Sequence, residues 1–244
     1  MSELQQKGLE FAKKIFDDIR AMSADVQGVT RQAFSAKETE VLDYLTKIGQ
    51  SLQLEITPDR AGNVWMTLPG KDRSLPAFVA GSHVDSVPQG GNYDGLAGVT
   101  AALTVAWWMR QTGFQPVRDY TVLMMRGEES SFFGKAYMGS LGMLGKLTAK
   151  DLALKIRDGS CTLAEAMQSC GIDTEAVSGG KPLVDIDRIA AFVELHIEHC
   201  IVYKRPDPGR SKRSPCRYCD GYSRQHSTQG CSHFRGSRSL RSNG

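Results

Sequence analysis

Residues 81–95 read Gly-Ser-His-Val-Asp-Ser-Val-Pro-Gln-Gly-Gly-Asn-Tyr-Asp-Gly and concentrate the chain's most reactive groups. His83 and Asp85 stand two positions apart, after a strand-like run from Ala77 to Ala80. In an extended segment, residues i and i+2 share a face. That spacing suits an imidazole that binds a metal while a carboxylate behind it fixes the ring. Gly90, Gly91 and Gly95 let the backbone turn tightly, so that Asp94 can return to the same point.

Two further pieces complete the constellation. Thr121 to Met125 reads as a buried strand and runs into Arg126-Gly127-Glu128-Glu129. Phe192 to Glu198 is a third apolar run and carries His196. Adjacent acids at a strand end are costly unless a positive charge sits among them. Two His, one Asp and a Glu pair, each at a strand mouth, form a site for two divalent cations. Such mixed nitrogen and oxygen donors suit zinc, manganese or cobalt better than calcium. Each piece alone has a plainer reading: a packed histidine, a solvated acidic loop, a simple turn. Their joint occurrence in this order favours the metal, because open α/β sheets bind ligands beyond the carboxyl ends of their strands.

His83-x-Asp85, Tyr93-Asp94-Gly95, Glu128-Glu129 and Glu194-Leu195-His196-Ile197-Glu198 resemble the motifs of the dinuclear-zinc amidohydrolases of the hydantoinase/carbamoylase group. N-carbamoyl-L-amino-acid hydrolases, allantoate amidohydrolases and β-ureidopropionases belong to that group. The resemblance runs from near the N-terminus to about Glu198. It implies His83 and His196 as terminal ligands on different ions, Asp94 as the bridge and Glu129 as a further ligand. It also implies Glu128 as general base, with Asp85 joining it in the catalytic set. The implied enzyme hydrolyses non-peptide C–N bonds of a small ureido or carbamoyl substrate, using two divalent ions (zinc, or manganese or cobalt). A carboxylate beside two cations is a weak base unless burial raises its pKa.

The chain departs from the group in three ways. Ser130-Ser131-Phe132-Phe133 stands where carbamoylases often have Gly-x-Arg-Phe, which leaves the substrate open. The further histidine that the group draws from near its C-terminus has no counterpart here. The group's second domain, which carries its homodimer contacts, is missing too. The chain is therefore expected to be truncated and inactive as written. The alternatives are a non-catalytic relic and a zinc aminoacylase or peptidase relative.

Composition changes after Tyr203. Residues 204–244 hold ten Lys/Arg against two Asp/Glu, whereas residues 1–203 hold 20 against 25. This tail has no helical or strand period, and disorder is its expected state. Cys216-x-x-Cys219 with His226 and Cys231 comes near a zinc knuckle, but the Cys-to-His gap is too long. A frameshift is the preferred reading. Codons for Cys216–Arg224, shifted by one nucleotide, can yield Val-Gly-Ile-Val-Thr-Gly-Ile-Ala. The same shift at Ser237–Asn243 can yield Ala-Asp-His-Ser-Gly-Ala. Both strings resemble segments of the group's second domain. Two units are expected: a partial catalytic domain at 1–203 and an out-of-frame tail at 204–244.

The rest reads as alternating helix and strand, predicting a three-layer α/β/α catalytic domain of the zinc-exopeptidase kind. Leu9–Met22 and a segment opened by the capping box Ser35-x-x-Glu38 are predicted helices. Residues 54–57 and 63–68 are a predicted strand pair, and 96–109 a buried helix ending in Trp107 and Trp108, both read as packing residues. Two short helices are expected within 146–169. Arg126 is read as a surface charge rather than a partner of Glu128 or Glu129. Cys161 and Cys170 read as reduced thiols of a cytoplasmic protein. No signal peptide is recognised at the N-terminus, and no apolar run reaches the roughly 20 residues of a membrane span. Neither nucleic acid nor membrane is an expected partner.

Overall fold

The computed structural model describes residues 1–197. The domain boundary after Tyr203, the cysteines of the tail and Glu198 lie outside the described residues.

Helix α1 (Glu3–Ser23) begins at a full capping box between Ser2 and Gln5. Its inward face carries Ile15 and Ile19, both buried, while Leu9 lies on the exposed side, contrary to the predicted apolar stripe. Helix α2 (Ala36–Ser51) follows and buries Val41, Leu42 and Leu45. Next come β1 (Glu55–Pro58) and β2 (Val64–Leu68), paired antiparallel as the sequence predicts. Then β3 (Ala77–His83), helix α3 (Leu96–Thr112) and β4 (Tyr120–Met125) make a parallel crossover unit. Short helices α4 (Met138–Met143), α5 (Ala149–Leu152), α6 (Leu163–Ser169) and α7 (Thr174–Val177) lead to β5 (Ile189–Val193).

The sheet order is β1-β2-β4-β3-β5. β5 and β4 both run parallel to β3, so three strands end at the same edge. This edge is where ligands bind in open α/β sheets. Pleating sends Val64, Met66 and Leu68 of β2, with Tyr120, Val122 and Met124 of β4, into the core shared with α1, α2 and α3. Trp65 points the other way, into a second cluster built on Phe34, Ala61, Met138, Leu163 and Met167. The remainder of that second face, near Val79 and Thr121, lines a groove of about 590 Å³. The α/β architecture is as expected, and its second helical layer is incomplete among the described residues.

Three local expectations fail. Trp108 is 47% exposed, because it lies with Val105 on the solvent-facing side of α3, whereas Trp107 packs, stacked on Phe11. His196 is not within a strand, since β5 stops at Val193 and the histidine sits in the following loop. Arg126 is 4% exposed and paired with Glu38, so it is no surface charge. It closes a central strand whose end is covered by α2.

Candidate metal centre

His83 is the last residue of β3 and is fully buried. Its Nδ1 lies 3.0 Å from the main-chain oxygen of Asp85 and 3.3 Å from the Asp85 carboxylate. Both neighbours are acceptors, so Nδ1 carries the proton and the Nε2 lone pair faces the site. Gly95, at φ +63°, makes that placement possible: a Cβ there would sit 2.5 Å from the His83 ring. Only glycine combines this left-handed turn with so close an approach.

His196 presents the same tautomer. Its Nδ1 lies 3.0 Å from the Ile197 carbonyl oxygen, leaving Nε2 toward the site. The two Nε2 atoms are 3.3 Å apart. With both Nδ1 atoms protonated, neither Nε2 has a hydrogen to give the other. A shared cation between them, a proton or a metal ion, removes the repulsion of facing lone pairs.

Asp94 enters from the glycine-rich loop at 4% exposure. Its Oδ1 is 3.6 Å from His83 Nε2 and 3.7 Å from His196 Nε2. Glu128 Oε2 is 3.7 Å from His83 Nε2. Donor atoms of a tetrahedral ion with ligands at about 2.0–2.1 Å lie roughly 3.4 Å apart. His83, Asp94 and His196 come near that spacing, and His83 with Glu128 and Glu129 forms a second group; within each group the ligand atoms lie within 4.8 Å of one another. The residues present therefore fit divalent metal, and their donor chemistry fits zinc, manganese or cobalt.

Asp85 does more than back the imidazole. Its Oδ1 accepts from the Glu128 amide at 3.0 Å and its Oδ2 from the Glu129 amide at 2.9 Å. One buried carboxylate thus ties the end of β4 to the end of β3. The electrostatics are those of a site short of positive charge. Burial, then the neighbouring carboxylates, raise the Glu128 pKa above the ordinary range. Burial and the charge of Asp94 push Glu129 up to about 8. Burial works against the His83 cation, yet hydrogen bonds to Asp85 and Asp94 hold its pKa well above that of a free histidine.

All six side chains singled out from sequence, His83, Asp85, Asp94, Glu128, Glu129 and His196, therefore meet at one sheet edge. Two more buried residues support them, and sequence reasoning misses both. Arg31 donates from Nε to the Val84 carbonyl at 2.6 Å and from its amide to Ser86 Oγ at 2.9 Å. Its only sequence signal is a lone charge in the neutral stretch 26–36. Glu38 accepts from Phe34, Arg126 and Gly127. Its sequence signal points elsewhere, to a helix cap.

Residues 63–153 match the family model "Peptidase family M28". A ureidoglycolate hydrolase of Oryza sativa subsp. japonica is 34% identical over 184 residues, covering 75% of this chain and 38% of the relative. An N-carbamoyl-L-amino-acid amidohydrolase of a Pseudomonas species is 31% identical over 172 residues, 70% of this chain and 41% of the relative. A crystal structure of a hydantoinase/carbamoylase family amidase from Burkholderia ambifaria superposes with a TM-score of 0.68 at 26% identity, over 80% of this chain and 46% of the amidase. The chain spans less than half the length of each of these proteins.

Proposed function

From a chain that carries the N-terminal part of a hydantoinase/carbamoylase-type amidohydrolase, we propose a metal-dependent hydrolase of the C–N bond in a small ureido or carbamoyl compound. The observation that carries this reading is the convergence of His83, Asp94, Glu128, Glu129 and His196 at ligand spacing on one sheet edge. His83, Asp94, Glu129 and His196 would hold two divalent ions, with Asp94 between the two imidazoles. Bound there, the ions would supply Lewis acidity, polarising a carbonyl and lowering the pKa of water. A urea or amide carbonyl is a poor electrophile and needs that help.

Glu128 is left as the proton carrier. It takes a proton from the attacking water and delivers it to the departing nitrogen. Burial raises its pKa in the metal-free site, which counters the lowering that two bound cations would bring. Asp85 is a positioning residue. It aims His83 and fixes the backbone of Glu128 and Glu129 with its two oxygens.

Two measurements test the reading. Titration with zinc, manganese or cobalt should saturate near two ions per chain, and His83→Ala or Asp94→Ala should abolish the tighter step. Ammonia release from N-carbamoyl-L-amino acids, ureidoglycolate and allantoate should depend on added metal in a frame-restored protein. An absence of metal binding, or release that survives chelation, sinks the proposal. The division into a partial catalytic domain at 1–203 and a tail at 204–244 is part of the same proposal.

A further inference from the structure

The backbone of Arg126–Glu129 is held at every amide. The Arg126 amide donates to Asn63 Oδ1 at 3.1 Å and the Gly127 amide to Glu38 Oε1 at 3.0 Å. The Glu128 and Glu129 amides go to the two oxygens of Asp85. The carbonyls are used as well: those of Arg126, Gly127 and Glu128 accept from Gly139, Met138 and Tyr137. Four successive amides thus end on three side chains from three separate parts of the chain. Two of the three, Asn63 and Asp85, lie beside neighbouring strands. Glu38 alone belongs to a helix.

Glu38 is fully buried, and its carboxylate is spent entirely on long-range partners and the turn before its own helix. Besides Gly127, it accepts from Arg126 Nε at 2.7 Å and from the Phe34 amide at 2.8 Å. Arg126 also reaches Thr39 Oγ1 at 2.6 Å. Phe34 in turn packs under Gly127, whose φ is +58° and where a Cβ would lie 2.4 Å from the Phe34 ring. Glu38, Phe34, Arg126 and Gly127 therefore form one interlocked unit directly before Glu128. The same connection carries Arg31, which ties down the loop leaving His83.

We infer that Glu38 is a positioning residue for the metal centre: through Gly127 and Arg126 it sets where Glu128 and Glu129 stand relative to His83. This inference rests on the metal-site reading above. It makes the first turn of α2 part of the site. Misplacement of a ligand by a fraction of an ångström is enough to weaken a site whose partners are held this tightly.

The test uses the full 244-residue chain with cobalt(II) as the probe. Glu38→Gln keeps the size but removes one acceptor oxygen. It should weaken cobalt binding at least tenfold and alter the visible bands of the bound ion, as loss of a group that orients ligands typically costs about 10–100-fold. Its Gly127, Glu128 and Glu129 amides should exchange hydrogen faster than in the parent chain. Ile19→Ala, a core change far from this unit, should lower the melting temperature yet leave affinity and spectrum unchanged. The double change Glu38→Leu with Arg126→Met removes the buried pair outright, so it leaves no charge unpartnered. It should melt higher than Glu38→Gln without regaining cobalt affinity. Parent-like affinity and bands in Glu38→Gln, or in the double variant, overturn the inference. A parent chain that binds no cobalt overturns the metal-site reading instead. In that event unchanged amide exchange at 127–129 in Glu38→Gln separately overturns the positioning role.

Discussion

Replacing Asp85 by Asn isolates the carboxylate that joins the two strand ends. The side chain keeps its size and stays fully buried. Its oxygens now accept the amides of Glu128 at 3.0 Å and Glu129 at 2.9 Å. An Asn can accept only one of these and turns its NH₂ toward the other, donor against donor. One unsatisfied buried amide costs about 1–3 kcal/mol. Part of that is offset, because the charge of Asp85 is among the causes that raise both the Glu128 and Glu129 pKa values. The metal-free chain should therefore lose less than about 3 kcal/mol. Metal affinity should fall further in relative terms, since loss of a group that orients ligands typically costs about 10–100-fold. At a metal concentration about 100 times the parent Kd, the parent fold gains about 2.7 kcal/mol from binding, whereas a variant about 100-fold weaker gains about 0.4 kcal/mol. The assay is paired thermal melts with and without zinc, alongside a cobalt titration. The drop in melting temperature should be larger with metal than without. A variant that binds cobalt within about twofold of the parent refutes the claim that Asp85 orients the ligands.

Four further outcomes are expected. In a frame-restored protein, Glu128→Gln should keep metal binding and reduce turnover by about 10²–10⁴-fold, the usual share of a proton carrier; near-normal turnover would reassign the base. Glu129→Gln should instead lose metal, which a titration of the two variants side by side will resolve. Gly95→Ala should disrupt both fold and site, because the new methyl lies 2.5 Å from the His83 ring and φ is +63°; an unchanged melting temperature and cobalt spectrum would contradict the role of this turn in seating His83. The metal-free chain should melt lower as pH rises from about 5 to 8. The sign follows from Glu129, whose pKa is raised to about 8, and from Glu128 and His83, raised as well. The folded chain then holds more protons than the unfolded one across that window, so stability is greatest at its acid end and is lost as pH climbs through the raised values. The carboxylates whose pKa values are lowered, such as Asp18, Asp72 and Asp158, titrate below this window and do not reverse the slope. Stabilisation by added zinc should grow over the same range, since metal replaces those protons. A melting temperature that rises with pH in the absence of metal would show that these groups do not carry the protons assigned to them.

The proposed site residues are readable in sequence because each member stands where a strand ends and the backbone geometry is local. His83 follows an apolar run, Asp94 follows paired glycines, and Glu128 with Glu129 follows the most buried strand of the sheet. Strand period and turn chemistry are properties of neighbouring residues, so they survive in the one-dimensional order of the chain. The functions of Asp85, Glu38 and Arg126 do not. Local spacing assigns Asp85 to backing His83, and it does lie beside that ring, but its two oxygens are given to amides more than 40 residues away. Ser35-x-x-Glu38 has the pattern of a capping box. Ser35 Oγ does accept from the Glu38 amide at 3.2 Å, while the Glu38 carboxylate turns inward to Phe34, Arg126 and Gly127. The local pattern sets the helix start, and the tertiary structure takes the side chain for another purpose. Arg126 looks like a solvated charge because a glycine and two acids follow it in sequence, yet α2 covers it and supplies its counter-charge from 88 residues away. Trp108 errs in the opposite direction: an apolar type near the end of an apolar helix, left in solvent because it shares the outward face of α3 with Val105. Sequence determined which residues could bind metal and on which edge they would gather, since both follow from short-range periodicity. Which buried charges neutralise one another was decided only where the first turn of α2 meets the residues that follow β4, because that pairing depends on distances between segments remote along the chain.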